Sequence, residues 1–473
     1  MAYSVIDKMI AHHNSTLVTG TGSAQAITGV GHRPDFWWGK RRDNTGNGTI
    51  FNSVRGVNKG VESNTDAQEF TSTDYITAFG SDGFTTAAGS SGAGNGSSQT
   101  SVNWTWAAGG ASPAITYTVK VVDDSGNKYR FNDFGTSAVT LDLQEGGTYT
   151  FDASDSSVDS HPFVIGTAAN SSEYSTGVTY QLDGVSKTYS QYTSGFATAT
   201  TRKLIITVAA SAPALYYWCS NHSGMGGAIN TNSLFGSSNF GGAVQSIATT
   251  NDTAGFSIVT YTGTGSATTV GHGLSVKPAC IWLKALNTGS EHHVMYHQGV
   301  GATKVIKIRE TSRAAATSSN YWNDTAPTTS AFSIGTDHGV NKSSTLYQAY
   351  CWAQIPGYSR FGRYMSNASS DGPFINMGFE PRMFIVFNRD SNDEIEVYDY
   401  ARIGFNEYNY HLNAGINTAE DTNSGRLSLY SNGFKLQTAP SGPINSGSGG
   451  TEYLYMAWGQ TPVDSNNVPN TAK

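Results

Sequence analysis

Short stretches of alternating apolar and polar residues, set off by clusters of Gly, Asn, Asp and Ser, recur along the chain. Ile115-Thr-Tyr-Thr-Val-Lys-Val-Val122, Val139-Thr-Leu-Asp-Leu143, Thr148-Tyr-Thr-Phe151 and Lys203-Leu-Ile-Ile-Thr-Val208 are examples. A period of two sends successive side chains to opposite faces, so each stretch predicts a strand with one face toward a core. Ser81-Asp-Gly-Phe84 and Ser431-Asn-Gly-Phe434 predict tight hairpin turns between such strands. No stretch carries the 3.6-residue stripe of an amphipathic helix. The pattern therefore predicts an all-β chain built from two-layer sandwiches.

The same order of signals then comes three times. Val18-Thr-Gly-Thr-Gly-Ser is followed by Val30-Gly-His-Arg-Pro34 and Phe36-Trp-Trp-Gly-Lys40. Tyr261-Thr-Gly-Thr-Gly-Ser is followed by Val270-Gly-His, Val276-Lys-Pro278 and Ile281-Trp-Leu-Lys284. A weaker copy runs through Tyr364-Met-Ser-Asn, Met377-Gly-Phe-Glu-Pro381 and Phe384-Ile-Val-Phe387. The copies close on Trp106, Trp352 and Trp458, which lie 72, 74 and 77 residues after the marker prolines. That spacing suits one domain of about 100 residues. The expected layout is an attachment segment at 1–15, repeats at 16–112, 256–359 and 360–473, an insert at 113–231 and a linker at 232–255. The Gly/Ser tracts at 89–101 and 441–450 precede the closing strands and are expected to be surface loops.

This pattern resembles a repeat of structural proteins of tailed phages, especially those infecting marine bacteria, where it is described as tail fibre-like. Phe51-Asn-Ser-Val-Arg-Gly56 and Ile355-Pro-Gly-Tyr-Ser-Arg-Phe-Gly362 share in the resemblance, which covers roughly 14–110 and 256–461. It implies a virion component and brings no catalytic residues with it.

Composition narrows the class. Only 13% of the 473 residues are charged, about half the share of an average soluble protein. The net charge is −7, and the one basic run is Lys40-Arg41-Arg42, so nucleic acid is not an expected partner. No run reaches the ~18 apolar residues of a membrane-spanning helix, and the start, Met1-Ala-Tyr-Ser-Val-Ile-Asp-Lys8, has no basic region followed by an apolar one, so a secretory signal is not expected. The expectation is a protein made in the host cytoplasm and carried in the virion. Three cysteines do not make a disulfide framework. Cys280 and Cys351 are expected as small buried residues of strands.

Cys219 belongs to something else. Cys219-x-x-His222-x-x-Met225 puts a thiolate, an imidazole and a thioether in one short loop between strands, and His161 lies upstream in Ser160-His-Pro-Phe-Val-Ile165. Two His, one Cys and an axial Met are the ligand set of a blue-copper centre. The insert resembles the cupredoxins, Greek-key sandwiches, with the short Cys–His–Met loop of amicyanin-type members. The resemblance implies a type 1 mononuclear copper held by His161, Cys219, His222 and Met225. One departure stands out: many cupredoxins place Asn after the first His, tying the two ligand loops together, and here the residue is Pro162. The residues leave two readings open: a metal-competent site, or a bare scaffold with a core His161 and a buried Cys219 thiol.

Weaker candidates complete the reading. His12-His13 and His292-His293 are adjacent pairs whose side chains face opposite ways in a strand, so neither is expected to hold one metal. Carboxylates such as those of Asn392-Asp-Glu-Ile-Glu396 show no spacing that marks an acid and base pair. Trp106, Trp352 and Trp458 are expected as strand core. The function expected is therefore non-enzymatic: a tail fibre, spike or capsid decoration that assembles with other virion proteins and presents sandwiches to a host glycan or receptor. A homo-oligomer, specifically a trimer, is the expected assembly. The alternative is a copper redox protein or a glycan-cleaving tail enzyme.

Overall fold

The computed structural model describes residues 6–89, 94–308, 316–389, 395–402, 406, 410–422, 426–437, 444–445 and 449–460. The chain is all-β and divides into two compact units. One comprises Met1–Ala108, Thr250–Thr269 and Leu274–Lys473; the other comprises Gly109–Thr249 and Val270–Gly273. The three repeats therefore lie in a single unit rather than in three separate domains.

Each repeat builds a large antiparallel sheet in the same strand order. In the first, His13–Thr19 pairs with the closing strand Thr100–Trp106, which pairs with Phe36–Arg41, and Thr49–Asn52 and Gly56–Glu62 follow outward. In the second the order is Phe256–Thr262, Leu346–Ala353, Pro278–Ala285, Val294–His297. In the third it is Ser359–Met365, Glu452–Gln460, Glu380–Asn388, Ile395–Asp399. The register is conserved among them, since Phe36 faces Trp106, Cys280 faces Trp352 and Met383 faces Trp458. The marker prolines Pro278 and Pro381 sit at a shift of register, where a residue without an N–H costs no ladder bond. In the first and third repeats a three-stranded sheet covers one face of the large sheet, and its hairpins turn at the Asp-Gly and Asn-Gly signals.

The other face of each large sheet is buried against its neighbours. Phe36 meets Tyr350 edge-on at 4.6 Å, and Trp38 meets Trp282 at 5.3 Å. Trp106, Trp352 and Trp458 come together with centroids 5.1 to 5.9 Å apart. They are core residues, as expected, of a core the three repeats share. Polar links join repeats as well. Lys40 Nζ donates to the carbonyl of Ile416, Lys284 Nζ to that of Asp66, and Trp104 Nε1 to Asp399. The basic run is consumed in this way: Lys40 is buried, Arg41 pairs with Asp43 and Arg42 forks onto Glu420.

The second unit is a sandwich of a six-stranded and a five-stranded sheet around a core that includes Tyr117, Phe131, Phe151, Phe163 and Tyr217. The stretch 232–255, expected to be a linker, contains the strands Ser237–Asn239 and Ser246–Asn251. Phe240 enters the sandwich core, and the Tyr117 hydroxyl donates to the Ser238 carbonyl. The longest helix among the described residues, Tyr189–Gly195, starts at a capping box made by Thr188 and Gln191. Of the expected loops, 90–93, 441–443 and 446–448 lie outside the described residues, as does 1–5 of the attachment segment.

Candidate metal centre

The sandwich of the second unit brings two distant loops together because two strands of its five-stranded sheet run side by side. Phe163–Ala168 pairs antiparallel with Leu215–Cys219, and Phe163 faces Cys219 across the ladder. His161, two residues before the first strand, thereby comes beside the end of the second. A short turn at Ser156–Val158, capped by Asp155, delivers it, and the His161 N–H donates to the Val158 carbonyl at 2.8 Å. After Cys219 the chain loops through His222 and returns at Gly227–Asn232. Gly226 makes the return possible: a Cβ there would lie 1.7 Å from the carbonyl oxygen of Tyr217. Any larger residue would collide with the backbone of the strand Leu215–Cys219.

Three of the four predicted ligands converge. His161 Nδ1 and His222 Nδ1 are 3.0 Å apart, and Cys219 Sγ lies 3.8 Å from the first and 3.6 Å from the second. Metal bonds of about 2.0 Å to nitrogen and 2.3 Å to sulfur predict edges of roughly 3.3 Å between nitrogens and 3.6 Å from sulfur to nitrogen. The triangle fits a single soft ion with thiolate and imidazole donors. Among the described residues it is the one group of three or more His, Cys, Asp or Glu side chains close enough to share a metal. Met225 is buried at the end of the same loop, and its backbone carbonyl accepts from the N–H of Tyr129 at 2.9 Å.

Burial grades the donors. Cys219 and Met225 are each 1% exposed and His161 7%, while His222 stands at the surface. Burial, and then the neighbouring His222, hold the His161 imidazole below its ordinary range, which keeps it neutral and able to bind. Its far nitrogen, Nε2, is 3.4 Å from the Asn127 side-chain amide.

The link between loops that Pro162 cannot make is made from the opposite side. Asn221, inside the Cys-x-x-His motif, donates its side-chain amide to the Ser160 carbonyl at 3.1 Å, and the Ser220 N–H donates to the Pro162 carbonyl at 3.2 Å. The Tyr129 hydroxyl donates to the carbonyl of His161 itself at 2.9 Å. Sequence reasoning passed over Asn127, Tyr129 and Asn221. Only Asn221 carried a signal, by lying between two predicted ligands.

The remaining candidates hold structure together. His293 accepts from Trp282 Nε1 and contacts the Glu62 carbonyl, His292 lies 3.3 Å from Asp66, and His13 stacks on Trp106. Each member of a pair finds its own partners. Cys280 and Cys351 are buried in strands, as expected. Of the acidic stretch, Asn392, Asp393 and Glu394 lie outside the described residues, and Glu396 is buried against Arg426. No helix among the described residues is long and apolar enough to cross a membrane.

No curated protein matches the chain. The solved structure titled "Crystal structure of Putative membrane anchored protein from Corynebacterium diphtheriae" is 10% identical, with 92% of this chain and 88% of that one covered and a TM-score of 0.14. That score supports no argument about this fold. A family described as "Domain of unknown function (DUF7483)" matches residues 8–141 and 171–462, taking in Cys219, His222 and Met225 but not His161. The match spans most of the sequence, and the chain belongs to that family.

Proposed function

We propose that this chain is a non-enzymatic structural protein of a tailed-phage particle whose second unit is a cupredoxin-like module carrying one type 1 copper. The observation that carries the metal reading is the triangle of Cys219 Sγ, His161 Nδ1 and His222 Nδ1, with edges of 3.0 to 3.8 Å. Met225, buried at the end of the same loop, would supply a thioether donor. Bound there, copper would exchange one electron or act as a staple that adds its binding free energy to folding. The virion reading is supported by the tail fibre-like motifs, the low charge, and a body built from three interlocked copies of one sandwich. Its partners are other virion proteins and a host-surface glycan or receptor, met through surface loops.

Two measurements test the two parts. Cu(II) titration of the purified chain should give an intense visible thiolate-to-copper band, absent in Cys219→Ala; a folded protein with no band ends the copper reading. Mass spectrometry of particles purified from cells that produce the chain should find it at a fixed copy number. Its absence from washed particles would end the virion reading.

A further inference from the structure

We infer that Asn221 is a positioning residue of the metal centre, holding the His161 loop against the Cys219–Met225 loop. The inference rests on the copper reading above and deepens it.

Three consecutive carbonyls of the first ligand loop are held, and each from a different place. Ser160 accepts from the Asn221 amide at 3.1 Å, His161 from the Tyr129 hydroxyl at 2.9 Å, and Pro162 from the Ser220 N–H at 3.2 Å. Two of these donors belong to the loop that carries Cys219 and His222. Of those two, only Asn221 is a side chain, so it alone can be removed without altering the backbone. Asn221 is exposed, yet its amide spans from one ligand loop to the other, 61 residues apart in sequence. Its position between Cys219 and His222 couples the separation of the loops to the edges of the ligand triangle. Displacement of His161 by a few tenths of an ångström would change its distances to Cys219 Sγ and to His222 Nδ1 at once. Partners of this kind outside the ligand set are typically worth 10- to 100-fold in metal affinity.

The test uses the full chain and three variants. Asn221→Asp keeps size and shape but replaces the donor with an acceptor facing the Ser160 carbonyl. Asn221→Gln keeps the amide on a longer arm, and Ser223→Ala alters the same loop without touching the link. Cu(II) added to each is followed by visible absorption and by competition with a chelator. The expected result is about 10- to 100-fold weaker copper binding in Asn221→Asp, a smaller loss in Asn221→Gln and none in Ser223→Ala. A band and affinity in Asn221→Asp equal to those of the parent would overturn the inference while leaving the copper reading standing. Hydrogen exchange of the metal-free chain separates the two further. The amides of His161 and Ser220 should exchange at least about tenfold faster in Asn221→Asp, with the strand Arg202–Thr207 unchanged. If the parent takes up no copper but this acceleration is seen, the copper reading fails and the loop link remains. Unchanged exchange would remove the link itself.

Discussion

The indole rings of Trp106 and Trp458 meet edge to face, with centroids 5.1 Å apart and planes at 71°. They come from the closing strands of the first and third repeats, and each also meets Trp352 of the second at 5.9 Å. Aromatic pairs in this geometry contribute about 0.5–1.5 kcal/mol beyond the area they bury. The three rings thus bind the repeats to one another at the position that each repeat's own register assigns to its last tryptophan.

Trp106→Ala should accordingly destabilise all three repeats together, by about 3–5 kcal/mol. Urea unfolding followed by tryptophan fluorescence and far-UV circular dichroism would show one transition for the first unit, moved to lower urea. A new early transition with about a third of the amplitude would mean that the repeats fold independently, and would sink the shared-core account.

The mass in solution follows from the same arrangement. A trimer of chains is the expectation from sequence, but each large sheet has one face against a neighbouring repeat of the same chain. In the first and third repeats the other face lies under a small sheet. Those faces are thereby closed to pairing between separate copies. Light scattering on the purified chain should therefore give about 50.2 kDa, and a mass near three times that would show that a further surface drives assembly.

Hydrophobic pattern made some of this legible and hid the rest. The insert's strands alternate cleanly because one face of each looks to a core and the other to water, as in Ile115–Val122. The marker strands do not alternate. Phe36-Trp37-Trp38 and Ile281-Trp282-Leu283 are apolar throughout because both faces are buried, Trp37 with Phe51 and Phe84 within its repeat and Trp38 against Trp282 of the next. Such a run names a buried strand without saying that its second face belongs to another repeat. The stretch 232–255 misled for a different reason. It is attached by one aromatic anchor, Phe240 in the sandwich core, and by hydrogen bonds from Tyr149 to the Ser237 hydroxyl and from Tyr117 to the Ser238 carbonyl, and neither leaves a periodicity. The candidate metal site was readable because three of its four proposed ligands are close in sequence. Asn127 and Tyr129, which reach His161 from another strand, had no local mark.

The turn motifs, by contrast, were readable, and they make a sharp prediction about two neighbouring glycines. Gly83 has φ of 148°, and a Cβ there would stand 1.9 Å from the carbonyl oxygen of Ile27 on the adjacent strand. Gly433, its counterpart in the third repeat, would put a Cβ 2.0 Å from that of Ile375. Gly80, at the other side of the first turn, would make only an ordinary contact at 3.6 Å. Gly83→Ala and Gly433→Ala should each cost about 2–4 kcal/mol, with Gly80→Ala within about 0.5 kcal/mol of the parent. Equal urea midpoints for Gly83→Ala and Gly80→Ala would refute the close-approach explanation.

Acid sensitivity should come from buried histidines before it comes from carboxylates. His297 is held neutral, its Nε2–H donating to the Tyr455 carbonyl at 3.1 Å and its Nδ1 accepting from the Gly299 N–H at 3.0 Å. Burial lowers it to about 4. His13, stacked on Trp106, is lowered by burial to about 3, and His32 by burial to about 4. In the unfolded chain these groups titrate near 6.5. Between that value and their folded values the unfolded state binds more protons, so stability is fully present above about pH 7 and falls as the pH drops. Most carboxylates stay ionised down to about pH 5, so between pH 6.5 and 5 the loss belongs to the histidines and amounts to about 1–2 kcal/mol for each. Urea midpoints taken at pH 7.5, 6.5, 5.5 and 5 should decline over that window. His297→Gln, which can still donate to Tyr455 but cannot take up a proton, should start lower and decline less steeply. A midpoint flat from pH 7.5 to 5, or a variant with the parent's slope, would show that these histidines do not set the acid limit of the fold.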